Sequence, residues 1–226
     1  MQPRLLKNQV ALFGSFHFPP TPETIVKLVE AFASLGFMPQ VINTNDLVSG
    51  LSIQKITLSR GSDTQIQFAS DRIDIVNTMP SVSDIAPFIV EVLDYLSRIE
   101  KGSLKFTRVG LVQDYLLESL PVEIEREIRL RLLPHSGENP NEWMARWVEP
   151  RVVNDEKYNI CLEAMVAPGL MMVMNNKIQP VNGVKVLYDI STSPENMSSR
   201  FNSSNIEATL NSLNGIIQSE KAFFQV

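Results

Sequence analysis

Hydrophobic periodicity runs through this chain in a succession that occurs twice: a strand, a helix, four short extended pieces and a second helix. In the first half, residues 9–18 (QVALFGSFHF) alternate as a strand. Val10, Leu12, Phe16 and Phe18 lie on one face, and Phe13, Ser15 and His17 on the other. The run Pro19-Pro20-Thr21-Pro22-Glu23 ends the strand and opens a helix. Thr21 suits the N-cap, Pro22 the first helical position and Glu23 the positive helix end. Ile25, Leu28, Val29, Phe32 and Leu35 then fall at helical spacing up to Gly36. Extended pieces are predicted over 37–42, 51–59, 64–70 and 72–77. A helix from near Ser83 carries Ile85, Phe88, Ile89, Val92, Leu93, Leu96 and Ile99 on one stripe, with Pro87 near its first turn.

The second half repeats the order. Residues 106–116 read as a strand, Pro121 opens a helix and Pro134 closes it. Strands are predicted over 142–153, 157–166, LMMVMN (170–175) and 184–191, with Asn175 through Pro180 as a connection. In the last helix, Ser204 and Glu207 have capping-box spacing, and Ile206, Leu210, Leu213, Ile217 and Phe224 form its apolar stripe. The fold class expected is therefore α+β: tandem β-α-β4-α repeats, 1–103 and 104–226, forming one continuous curved antiparallel sheet with helices mainly on one face. The alternative is a single α+β domain without internal symmetry.

This element order resembles the TATA-binding-protein-like fold, whose two repeats form a curved sheet with an open concave face. The chain also looks like a member of a sporadically distributed, functionally uncharacterised family of bacterial proteins. The matching features are the early FHF segment before a proline-rich turn, Arg108-Val109-Gly110-Leu111, the late strand Lys185-Val186-Leu187-Tyr188-Asp189-Ile190, and a last helix ending in Phe223-Phe224. An acidic residue on the first strand and an Arg-Tyr-x-Asn extension, which the family carries, are replaced here; Val112-Gln113-Asp114-Tyr115 stands at the second place. That resemblance leaves room for an accessory or antitoxin-like role beside another bacterial protein.

Charge argues against the nucleic-acid function of the saddle fold. Lys+Arg number 7 against 10 Asp+Glu in residues 1–100 and 13 against 15 in the rest, so both halves are acidic. The polar sheet face, with Lys55, Gln65, Gln67, Arg72, Asp74, Arg108, Asp114, Asn159 and Glu163, makes no stripe to neutralise phosphates. One cysteine, Cys161, excludes an internal disulfide or a multi-cysteine metal centre, and it reads as a small apolar residue. The first residues read as a strand rather than a signal peptide, and no run of some 18 apolar residues occurs. A cytoplasmic protein with no membrane contact is expected.

The candidate residues are few. His17, as a sheet-face histidine, is the one candidate base; the plainer reading is a half-buried strand-end residue beside the prolines. Arg108 and Asp114 share a strand face about 20 Å apart and cannot pair with each other. Glu149, Asp155, Glu156, Glu163 and Asp189 are scattered as surface acids rather than gathered as a metal cage. Trp143 and Trp147 share a strand face, as an aromatic platform for a partner or as a core pair beneath the helices. Met165, Met171, Met172 and Met174 line an adaptable surface or fill the core. Glutamates early and arginines late in the helix over 122–133 match its dipole and stabilise it. No phosphate-loop, dinucleotide, nucleophile-elbow or zinc-protease motif occurs. The sequence thus points to a non-enzymatic binding module with no catalytic set, metal or cofactor. It would hold a protein partner, a second copy or a small ligand, on the open sheet face or between sheet and helices. The rivals are a small hydrolase or transferase using His17 and a nucleic-acid-binding saddle.

Overall fold

In the computed structural model, which describes residues 3–45, 52–78, 82–100, 102–137, 140–166, 171–174, 177–180 and 183–224, the alternating segments become strands. The first half supplies β1 (Arg4–Phe13), β2 (Met38–Asn45), β3 (Ser52–Arg60), β4 (Thr64–Phe68) and β5 (Arg72–Asn77). The second supplies β6 (Arg108–Glu118), β7 (Trp143–Val153), β8 (Glu156–Val166), β9 (Met171–Met174), β10 (Lys177–Pro180) and β11 (Gly183–Thr192). The helices are α1 (Pro22–Phe32), α2 (Val82–Ile99), α3 (Val122–Leu132) and α4 (Ile206–Lys221). Nine strands form one antiparallel sheet in the order β2-β3-β4-β5-β1-β6-β11-β8-β7. The α+β class and the large antiparallel sheet agree with the sequence reading. The described part of the predicted LMMVMN strand, Met171–Met174, does not join that sheet. It pairs as β9 with β10, a strand the sequence reading took for part of a connection.

Period-two alternation builds the core. Val10 and Leu12 of β1, Ile73 and Ile75 of β5, Val109 and Leu111 of β6, Ile160 and Leu162 of β8, and Val186 and Ile190 of β11 are all buried. They join Leu28 and Phe32 of α1, Ile89 and Val92 of α2, Ile128 of α3, and Leu210 and Leu213 of α4 in one cluster. Each such side chain contributes about 1.5–3 kcal/mol when fully buried. Helix α4 lies against β6 and β11 and packs on α2, while α1 packs on α2 and β2. The opposite parity, including Gln9, Arg72, Arg108, Asp114, Glu163 and Asp189, faces away from this core.

Local chemistry sets the helix boundaries. Thr21 Oγ1 accepts the Thr24 N–H at 3.3 Å, Pro22 follows it, and Glu23 pairs with Lys27 at 2.6 Å. Gly36, at φ 75°, turns the chain after the 3-10 turn that extends α1. The Ser204–Glu207 capping box does not form. Asn202 Oδ1 accepts both the N–H and the hydroxyl of Ser204, and the N-cap falls to Asn205. The first strand also ends earlier than predicted, at Phe13. A Cβ on Gly14 would meet the Phe16 ring at 2.9 Å and the Lys105 carbonyl oxygen at 3.0 Å. Glycine lets the chain turn inward there, and Phe16 folds onto Phe106 with ring centroids 5.7 Å apart.

Candidate functional site

Polar residues on a core-facing parity are costly unless they are paired. Asn8 of β1 sits two residues before Val10, and Gln113 of β6 lies between Leu111 and Tyr115; both amides are buried. They stand opposite each other in the β1–β6 ladder, and Gln113 Nε2 donates to Asn8 Oδ1 at 2.9 Å. The Tyr115 hydroxyl donates to Gln113 Oε1 at 2.8 Å, and Lys221 Nζ, at the end of α4, donates to the Tyr115 oxygen at 2.5 Å. The ammonium also stands 4.0 Å from the centroid of the Tyr115 ring. Four side chains from two strands and a helix thus form a relay with all its donors directed the same way.

The outer end of the relay opens into a cavity of about 460 Å³ between the sheet and α3 and α4. Leu117, Leu120, Ile124, Ile128, Val186 and Phe224 supply apolar wall, and Tyr115, Tyr188 and Lys221 supply polar atoms. Burial draws the Lys221 pKa down to about 8 and pushes Tyr115 up to about 12. Tyr188 is raised too, first by burial and then by Tyr115 and Glu220. Among the described residues no carboxylate lies within 4.0 Å of Lys221. Its neighbour Glu220 is engaged by Arg151 at 2.6 Å. An apolar cavity of this size, with a few convergent polar groups and a perturbed lysine, has the composition of a small-molecule site.

The residues singled out from sequence lie elsewhere. Trp143 is buried on the helix-covered side of β7, 7% exposed, and its indole N–H donates to Glu125 of α3 at 2.5 Å. Trp147 has the same parity and packs partly buried against the core, so the pair offers no platform on the open sheet face. His17 is not on a strand face. It is exposed in the loop between β1 and α1, because Phe16 and Phe18 on either side turn into the core. It lines a shallow pocket with Lys55 and Asp71 and makes no hydrogen bond among the described residues. Arg108 and Asp114 do share the helix-free face of β6 and are not brought together. Arg108 stacks on Phe13 at 4.1 Å, with Arg72 at 5.0 Å from the same ring, and Asp114 faces Lys185 at 3.5 Å.

Burial lowers the Arg108 pKa, Asp189 opposes that, and Arg72 adds to it; burial raises the Asp189 carboxyl against the pull of Arg108, Arg72 and Arg146. Cys161 is a partly buried thiol, pushed up mainly by burial. Met165 is partly buried on β8, and the side chains of Met171, Met172 and Met174 lie outside the described part of the structure. In α3 the Glu127–Arg131 pair forms at 2.5 Å, as helix spacing predicts. Arg129 turns inward instead, 1% exposed, and donates to Ser136 Oγ and the Gly137 carbonyl. Sequence reasoning missed Lys221, Tyr115, Gln113 and Asn8. The available signal was Lys221 itself, four residues after Ile217 and three before Phe224, inside the apolar stripe of the last helix.

The class these observations define is an α+β protein with one nine-stranded antiparallel sheet and a polar relay at the wall of an apolar cavity. No protein-family model matches the chain, and comparison with curated proteins gives no match.

Proposed function

We propose that this chain is a non-enzymatic binding module whose ligand, a small and largely apolar molecule, occupies the cavity between the sheet and α3 and α4. The observation that carries the reading is the cavity, whose volume falls within the roughly 300–1,000 Å³ of small-molecule sites. Nile red, a neutral apolar fluorophore, tests it. Saturable binding to the full chain is expected, and it should be lost in Ile128→Trp, which fills the cavity. Equal binding by a folded Ile128→Trp protein, or no binding by wild type, overturns the reading.

The tandem organisation belongs to the same proposal. With the halves divided as 1–103 and 104–226, the first strand of each, β1 and β6, meets the other at the middle of the sheet. The second strand of each, β2 and β7, stands at an edge. This arrangement supports two related halves, the second diverting one segment into the β9–β10 ribbon. The charges on the helix-free face support binding without nucleic acid. Arg72 pairs with Asp74 at 2.6 Å, Lys185 with Asp114 at 3.5 Å and Arg146 with Glu163 at 3.9 Å, so these three of its cations face carboxylates of the protein itself. Salt-sensitive, sub-micromolar retention of DNA on a filter would contradict this part.

A further inference from the structure

We propose, resting on the reading of the cavity as a ligand site, that its occupant is an aliphatic carboxylate, the chain laid against Leu117, Leu120, Ile124 and Ile128 and the head paired with Lys221. An ammonium at an apolar wall with no carboxylate beside it among the described residues is an incomplete arrangement, because a desolvated charge is stable only when paired. Among the described residues Lys221 uses one of its three donors, on Tyr115. Glu220, the next residue back in α4, is committed to Arg151, and Glu125 of α3 to the Trp143 indole. Tyr115 gives its own proton to Gln113, so its hydroxyl hydrogen is not available to a ligand head. The donors at the head of the cavity are therefore the lysine ammonium and the Tyr188 hydroxyl, and a ligand answering them must accept.

The charge on that ligand follows from the same surroundings. A neutral alcohol satisfies a donor and leaves the charge unpaired, while an amine adds a second cation. A monoanion completes the pair and removes the head from water together with the lysine. Burial has already drawn the Lys221 pKa down to about 8, which is the behaviour of a cation lacking a counterion. The position of Lys221 in the last turn of α4 adds the helix dipole in favour of positive charge there. Apart from Lys221, Tyr115, Tyr188 and Phe224, the wall is aliphatic, which suits a flexible chain.

Calorimetric titration of the full chain with decanoate, decan-1-ol and decylamine, each below its self-association threshold, separates the two levels of the claim. The expected order is decanoate about tenfold or more tighter than decanol, as one charge-assisted contact implies, with decylamine not binding. From hexanoate to decanoate, affinity should rise by about fourfold per methylene. Lys221→Met should bring decanoate down to the level of decanol, and Lys221→Arg should keep most of the preference. Should Lys221→Met fail to fold, the ligand series on wild type still decides. Equal binding of decanoate and decanol overturns the carboxylate and leaves the cavity reading standing. Failure of all three, with no Nile red bound, overturns both.

Discussion

Lys221 is the residue on which the electrostatics of this fold turn. In the unfolded chain its ammonium titrates near the ordinary 10.5, and in the fold partial burial brings it down to about 8. Between those values the unfolded chain binds the additional proton, so folded stability rises with pH across that window. Below about 8 both states are protonated and the cost of holding the charge is constant. The groups facing the lysine are Tyr115 from β6 and Tyr188 from β11, with Glu220 beside it on α4. Tyr115 acts with the opposite sign above its ordinary value of 10, since the fold holds its proton up to about 12. Both tyrosines remain in Lys221→Met, so the difference between the two proteins isolates the lysine. Wild type should gain on Lys221→Met as pH rises from about 8 to about 10.5, read from urea midpoints. A constant difference across that window contradicts the assignment of Lys221 as a half-buried cation with no carboxylate partner among the described residues. Trp143 carries a second prediction at this scale. Trp143→Phe removes the donor to Glu125 and should cost about 1–3 kcal/mol, measured by the same denaturation.

Among the elements, the two sheet edges differ from the interior strands in one respect: each contains a proline, Pro39 in β2 and Pro150 in β7. Proline has no N–H for a ladder, so it suits only an edge and blunts it against another strand. On β7 it stands among Met144, Val148 and Val152, which are exposed on the helix-free face. Pro150→Val should therefore raise self-association, read as an increase in mass by light scattering. An unchanged mass would show that the proline does not guard that edge. The elements were largely legible because alternation and helical stripes record which face of each is buried. Thr21, Pro22 and Gly36 act as read, since a cap, a first-turn proline and a left-handed glycine are local events. The Ser204 cap misled because Asn202, two residues before it, competes for the same hydroxyl. The end of β1 misled because the turn at Gly14 depends on Phe16 meeting Phe106, ninety residues away in sequence.

At the scale of the whole molecule, the first and second halves are joined by the β1–β6 ladder through the centre of the sheet and by α2 against α4. The core is one cluster drawing on both. A single unfolding transition is expected, with far- and near-ultraviolet circular dichroism coincident; two separated transitions would contradict the shared core. The candidate site depends on this same assembly. Asn8, Gln113 and Lys221 each stand out in sequence as a polar residue on an apolar parity. Their convergence requires β1 beside β6 and α4 across β6, which no spacing along the chain encodes. The two tryptophans drew attention for the opposite reason: conspicuous in composition, Trp143 ties β7 to α3 through Glu125 and Trp147 packs against the core.

The central claim, that the cavity is a ligand site, is tested most directly by methyl-labelled nuclear magnetic resonance of the full chain during titration with decanoate. Saturable shifts concentrated at the methyls of Leu117, Leu120, Ile124, Ile128 and Val186 are the predicted result. Cavity methyls unmoved by decanoate and by Nile red alike, or shifts confined to the helix-free residues Met144, Val148 and Val152, would contradict it.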